Sequence, residues 1–126
     1  VLNEKLLEIL SHPVDGAVSI MTYGADGPHL VNTWNSYIEV TPDDKLLIPA
    51  YGFLRTEKNI TANNGVTLSI ANREVEGYRA KGTGVIVTGS ARFIKSGEED
   101  FDRIKKKFDW ARAVMEVTVT SAKQTL

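Results

Sequence analysis

The sequence predicts a mainly β domain, a small antiparallel barrel of six strands carrying two or three short helices. Three observations point to it. Six runs alternate apolar and polar residues or are rich in β-branched residues, and turn-forming residues join most of them. Helical spacing is confined to the N-terminus, one connection in the middle and one before the last strand, which is not the strand-helix rhythm of a parallel sheet. One run, Val85 to Ile94, is long enough to bend around a barrel, and Gly89 supplies a place for the bend.

From Asn3 to Leu10, Leu6, Leu7 and Leu10 fall at helical spacing, and Ser11-His12-Pro13 ends that helix. Ala17 to Tyr23 is a compact strand. Gly24-Ala25-Asp26-Gly27 then turns the chain, and Pro28 sets φ just after, giving an antiparallel hairpin. Its second arm, DGPHLVNTWNSY from Asp26 to Tyr37, is unusual. Period two puts His29, Val31, Thr33, Asn35 and Tyr37 on one face and Leu30, Asn32, Trp34 and Ser36 on the other. Rings, amides and hydroxyls mix on both faces, which suits a polar aromatic ligand better than a plain core strand.

After the turn Thr41-Pro42-Asp43-Asp44, Lys45 to Ala50 is a third strand whose Pro49 marks an edge, a bulge or the strand's end. Tyr51-Gly52-Phe53-Leu54 leads to a short helix over about Arg55 to Ala62, closed by Asn63-Asn64-Gly65. Val66 to Ala71 alternates as a strand, Asn72 to Lys81 reads as a polar loop, and Gly82-Thr83-Gly84 opens the long strand. Ser96-Gly97-Glu98-Glu99 has a capping-box pattern, and Phe101, Ile104 and Phe108 form the buried stripe of the helix that follows. Lys105-Lys106-Lys107 complements the dipole at its C-terminus. Ala113 to Thr120 alternates as the last strand, and Ser121 to Leu126 reads as an irregular tail.

The 126 residues are expected to form one domain spanning residues 1–126. With 15 basic and 16 acidic residues the net charge is -1, which gives no electrostatic reason for a nucleic acid or an anionic membrane as partner. There are no cysteines and two histidines, so thiolate, iron–sulfur and His-rich metal chemistry are not expected. No apolar run approaches the ~20 residues of a membrane span, and VLNEKLLEIL is amphipathic rather than export-like; a cytoplasmic location is expected.

The helix start at Arg55-Thr56 is the best candidate anion site. Unsatisfied N–H groups, the positive dipole end, a guanidinium and a hydroxyl converge there, with Lys58 and Asn59 within a turn. The plain alternative is a capping threonine beside a surface arginine. Gly82-Thr83-Gly84 lacks the third glycine of a dinucleotide fingerprint and the Gly-Lys-Ser/Thr of a P-loop, so a bend is the better reading. Trp34, Tyr37 and Trp110 lie outside the core stripes and suit a planar heterocycle. His12, His29 and Ser36 form no recognisable nucleophile pattern, so a hydrolase is not expected and no catalytic residue is assigned.

Taken together, Asp26 to Tyr37, Arg55-Thr56-Glu57-Lys58-Asn59, Gly82-Thr83-Gly84 with Gly89-Ser90-Ala91, and Trp110-Ala111-Arg112-Ala113 through Gln124-Thr125-Leu126 closely resemble the small FMN-binding proteins of sulfate-reducing bacteria. These belong to the FMN-binding split-barrel group, with pyridoxamine 5'-phosphate oxidase and flavin reductases. The resemblance runs over nearly the whole chain and implies a six-stranded antiparallel split β-barrel of Greek-key type. It further implies a homodimer with FMN held non-covalently near the subunit interface. By position, Thr33, Asn35, Ser36 and Tyr37 would line the FMN, and Arg55 and Thr56 would hold its phosphate. Trp34, from the partner subunit, and Trp110 would lie near the isoalloxazine, and Pro49, Ala50, Tyr51 and Gly52 would pass beside it.

Two departures stand out. Tyr51-Gly52 replaces the relatives' Gly-Gly pair, which puts a ring where it can crowd or stack on the flavin, and Arg55 replaces a lysine, which keeps a phosphate cation and adds a fork. The Arg-x-His pair with which the longer oxidases grip their substrate has no counterpart. The expected function is electron transfer by a bound FMN between a redox donor and acceptor, the partner being a redox protein. An FMN-dependent reductase or oxidase acting on NAD(P)H or a small organic substrate, and an FMN-storage or sensing module, remain as alternatives.

Overall fold

The structure, a computed structural model, describes residues 2–126. Its strands are β1 (Ala17–Gly24), β2 (Gly27–Trp34), β3 (Glu39–Val40), β4 (Lys45–Ala50), β5 (Gly65–Glu76), β6 (Lys81–Ile94) and β7 (Ala113–Gln124), joined with helices α1 (Glu4–Ser11), α2 (Leu54–Ala62) and α3 (Glu99–Lys107). All pairings are antiparallel, in the order β2-β1-β5-β6-β7-β4-β3. This is the expected mainly β split barrel, with seven strands rather than six. The added strand, β3, pairs only Glu39 with Leu47 and Val40 with Leu46, and two residues are too few for an alternation to register.

The barrel interior is apolar. Val18, Ile20, Leu46, Ile48, Leu68, Ile70, Val85, Val87, Met115 and Val117 meet there, and α1 adds Leu6, Ile9 and Leu10. On the outer side, Leu47, Ile94 and Val114 pack under Phe101 and Ile104 of α3. Strand β4 is therefore covered on both faces, which is why KLLIPA is a continuous apolar run instead of an alternating one. Pro49 is tolerated because β3 reaches only Leu46 and Leu47, leaving the end of β4 paired on the β7 side alone.

Several expected boundaries shift. Asn72 to Lys81 is not all loop: β5 continues to Glu76, and an irregularity after Asn72 returns Val75 to the buried side. Likewise Ser121 to Gln124 is not an irregular tail but the end of β7, bonded to Thr88 through Val85. Both segments read as polar because, of their apolar residues, only Val75 and Ala122 pack on the core, which is too few for an alternation to register. The capping box does not form either. Gly97 turns with φ +102°, Glu98 becomes the N-cap without a side-chain bond, and α3 starts at Glu99. The bend at Gly89 does occur: the register steps from Thr88↔Ser121 to Gly89↔Val119, which leaves Thr120 without a residue opposite it on β6.

The largest change concerns the second hairpin arm. Strand β2 ends at Trp34, and Asn35–Tyr37 form a single 3₁₀ turn, so Asn35 and Tyr37 do not continue the Thr33 face. The cause is Asn35. Its side chain is 1% exposed; its Oδ1 accepts the Gly16 N–H at 2.6 Å, and its Nδ2 faces the carbonyls of Ile9, Leu10 and His12 at 3.3–3.4 Å. The amide thus closes the end of α1 onto the sheet. Asn35→Ala is expected to destabilise the fold by about 2–4 kcal/mol, because it leaves several buried backbone groups unpaired. Chemical denaturation measures this; a midpoint within error of the parent's would show that water replaces the amide.

Candidate functional site

The bend between β4 and α2 builds the candidate anion site. Phe53 precedes the helix in the left-handed region, at φ 59° and ψ 31°, a conformation that costs a bulky residue about 1–3 kcal/mol and persists only where its surroundings enforce it. No side chain caps α2. Its first-turn N–H groups are thus left to solvent or a ligand. Thr56, in that first turn, is 0% exposed, and its Oγ1 has no hydrogen-bond partner, alone in this among the buried side-chain polar atoms of the described residues. A buried hydroxyl without a partner ordinarily costs ~1–3 kcal/mol, so a ligand oxygen is the natural occupant.

Two cations lie on the same two turns of α2. Arg55 and Lys58 are exposed, make no ion pair among the described residues, and line a cleft between α2 and the Gly24–His29 turn. Asn59 faces inward instead, where its Nδ2 donates to Thr22 Oγ1 at 3.1 Å and fixes α2 on β1. Gly52 is open, with nothing within 4 Å of where a Cβ would stand.

An ion network backs this bend. Arg112, just before β7, donates from Nε (3.0 Å) and Nη2 (2.6 Å) to the Gly52 carbonyl and from Nη1 (2.8 Å) to Glu57 Oε1. Glu57 Oε2 meets Lys95 Nζ at 2.6 Å. Burial pushes the Glu57 carboxyl up, but the hydrogen bonds and charges of Lys95 and Arg112 outweigh it and hold the group below its ordinary 4.5. The one acid in the first turn of α2 is thus neutralised from two sides, and the positive character of the helix start survives.

Next to this lies an aromatic cluster. Tyr37, Phe108 and Trp110 have ring centroids 5.1–5.5 Å apart in tilted contact. Trp110 and Arg112 share one short connection, so the cluster and the clamped bend are joined covalently. Lys105 Nζ reaches the Asp109 and Ala111 carbonyls and steadies that connection.

The structure brings some expected site residues together and separates others. Tyr51, Gly52, Arg55 and Thr56 lie along one bend, with Tyr51 74% exposed, while Pro49 and Ala50 are buried in β4 behind it. Tyr37 and Trp110 are in the cluster. Thr33 is buried on the inner face of β2, whereas Trp34, 46% exposed, points from the outer face of that edge strand. Ser36 is exposed, and both its N–H and its hydroxyl bond to the Asp15 carboxylate, at 3.2 and 3.0 Å. Asn35 has its amide committed to α1 and Gly16. Sequence reasoning assigned nothing to Arg112 and Glu57, and no local pattern could have found them, since Arg112 and Gly52 are 60 residues apart.

Other candidates are accounted for structurally. His12 caps α1 and accepts the Val14 N–H on Nδ1 at 3.0 Å. Thr83 is buried in β6 and accepts from Gln124 Nε2 at 3.2 Å, and Gly82, at φ +111°, makes the bend that precedes it. No helix among the described residues is long and apolar enough to cross a membrane.

Comparison with known proteins gives a consistent picture. The pyridoxamine 5'-phosphate oxidase family matches residues 2–125. The FMN-binding protein of Nitratidesulfovibrio vulgaris (strain DSM 19637 / Miyazaki F) is 45% identical over 112 residues, covering 89% of this chain and 90% of that protein. Among solved structures, tagged HupZ from Group A Streptococcus superposes with a TM-score of 0.75 at 15% identity, over 98% of this chain and 94% of that one. An FMN-binding protein from Syntrophomonas wolfei subsp. wolfei gives 0.73 at 15% identity, over 98% and 85%. At these identities the two structures speak for the fold alone.

Proposed function

Because the chain belongs to the pyridoxamine 5'-phosphate oxidase family, we propose that it is an FMN flavoprotein whose task is electron transfer between a redox donor and an acceptor. FMN is its cofactor. The observation that carries the site assignment is the Thr56 hydroxyl, fully buried and unpartnered among the described residues at the start of an uncapped helix that also carries the unpaired cations Arg55 and Lys58. A phosphate dianion supplies what that set lacks: acceptors for the hydroxyl and the first-turn N–H groups, and charge for the cations.

On this reading Arg55 and Thr56 hold the phosphate, and the exposed backbone of Tyr51-Gly52 lies alongside the ring. Tyr37 and Trp110 supply aromatic surface, and Thr33, Asn35 and Ser36 shape the wall. When bound, FMN supplies reversible one- and two-electron redox chemistry; the chain's own side chains there bind and orient. The exposed outer face of edge strand β2, with Leu30 63% and Trp34 46% exposed, supports a homodimer in which Trp34 reaches the partner's site.

The visible spectrum of the purified protein with FMN tests the reading. A colourless protein that takes up no FMN overturns it. Bleaching by NADH or NADPH without oxygen would favour a reductase, whereas electron exchange with a reduced redox protein, without such bleaching, supports the carrier. Light scattering decides between monomer and dimer.

A further inference from the structure

The guanidinium of Arg112 has all its bonded nitrogens committed inside the protein: Nε and Nη2 to the Gly52 carbonyl, Nη1 to Glu57. Three of its five N–H donors are thus spent on the fold, so orientation is its main contribution to the bend. The peptide that follows Gly52 is planar and trans, so turning its carbonyl toward Arg112 turns the Phe53 N–H to the opposite side. The Arg112 backbone N–H also donates to the Ala50 carbonyl at 2.9 Å, so one residue holds both ends of the Ala50–Gly52 bend. Phe53, the next residue, is the one in the left-handed conformation, and its carbonyl accepts the first bond of α2, from the Glu57 N–H at 2.8 Å. Glu57 then returns to Arg112 through its carboxylate, which closes a loop of contacts around the helix start.

We propose that Arg112 is a positioning residue for the anion site: its fork on Gly52, backed by Glu57 and Lys95, holds Phe53 in the conformation from which α2 begins and so aims the first-turn N–H groups and the Thr56 hydroxyl at one point. The clamp is an internal property of the chain. Its consequence for ligand binding rests on the FMN-phosphate reading above. Lysine cannot substitute, because an ammonium lacks the planar fork that engages Gly52 and Glu57 together.

The test uses the full chain with Arg112→Ala, Arg112→Lys and Glu57→Gln. Residue-resolved amide exchange is followed in the FMN-free protein, and FMN affinity by flavin fluorescence. Loss of the fork is expected to speed exchange of the Glu57 amide by about 10-fold or more and to raise the FMN Kd by a similar factor, the scale of a charge-assisted hydrogen bond. Exchange in β5, β6 and β7 stays as in the parent. Arg112→Lys gives no rescue, and Glu57→Gln shifts both readouts in the same direction. Unchanged exchange at Glu57 in Arg112→Ala overturns the proposal, as does faster exchange throughout the barrel, which would make Arg112 a general stability residue. Tighter FMN binding by Glu57→Gln also overturns it, because on this proposal the lost support for Arg112 outweighs the relief of charge repulsion at the helix start. If the parent protein takes up no FMN, the functional reading falls while the exchange comparison still decides the clamp.

Discussion

Thr56→Val is expected to weaken FMN binding by about 10- to 100-fold while leaving the FMN-free protein at least as stable as the parent. The two effects have one cause. The Thr56 hydroxyl is completely buried and has no partner among the described residues, so in the absence of ligand it is a desolvated polar group with nothing to offset its cost. Valine keeps the shape and the β-branch, removes that hydroxyl, and raises unfolding stability by up to ~1 kcal/mol, while the phosphate loses a short hydroxyl bond. Adding Arg55→Ala removes a cation from the same ligand, and affinity falls further. Titration of flavin fluorescence and denaturant unfolding of the FMN-free protein measure the two arms. Unchanged affinity in the double variant would show that the phosphate is held elsewhere, and a loss of stability in Thr56→Val would show that the hydroxyl has a partner in the free protein.

Gly89→Ala is expected to cost the fold about 2–3 kcal/mol and to lower the melting temperature by ~10 °C or more. A Cβ at Gly89 would stand 2.1 Å from the Thr118 carbonyl oxygen and 3.0 Å from its carbon, so the obstacle is backbone and no side-chain rotation relieves it. The position is the one at which β6 and β7 change register, leaving Thr120 without a residue opposite it on β6. The tight approach is what lets a 14-residue strand curve around the barrel. Gly97→Ala, in an exposed turn with no atom near the added methyl but a φ of +102°, serves as a comparison for the purely conformational cost. Equal losses at the two positions would show that crowding at the bulge contributes nothing.

The physical reasons for what could and could not be read in the chain differ by element. The alternation in Val66–Ala71 was plain because one face packs on the interior and the other does not. The polar ends of β5 and β7 gave no such signal. They are strands because their backbones pair, and backbone pairing leaves no mark on side-chain chemistry. In the same way Ser96 and Glu99 match a capping box that never forms, since Gly97 turns the chain before the helix can start.

At the site, residue types alone marked Arg55-Thr56 as a candidate anion site and set Trp34, Tyr37 and Trp110 apart from the core. The mixed character of the hairpin arm was equally visible, but its explanation was not. One strand phase was expected through Tyr37, whereas Asn35 turns inward and breaks it, because a buried amide gains more from the open carbonyls at the end of α1 than from a place on the sheet.

The sequence by itself therefore determined the β-rich class and the bend at Gly89, through periodicity and glycine placement, which act over a few neighbours. It also carried the motifs that resemble FMN split-barrel proteins and the residue types of the proposed anion site. Only the tertiary structure decided that the Thr56 hydroxyl is buried without a partner among the described residues, that Phe53 is held in a left-handed conformation, and that Arg112 grips Gly52 from 60 residues away. Those features depend on which distant backbone groups a fold brings together, and no local pattern encodes the meeting of two segments whose contact exists only once the barrel has closed.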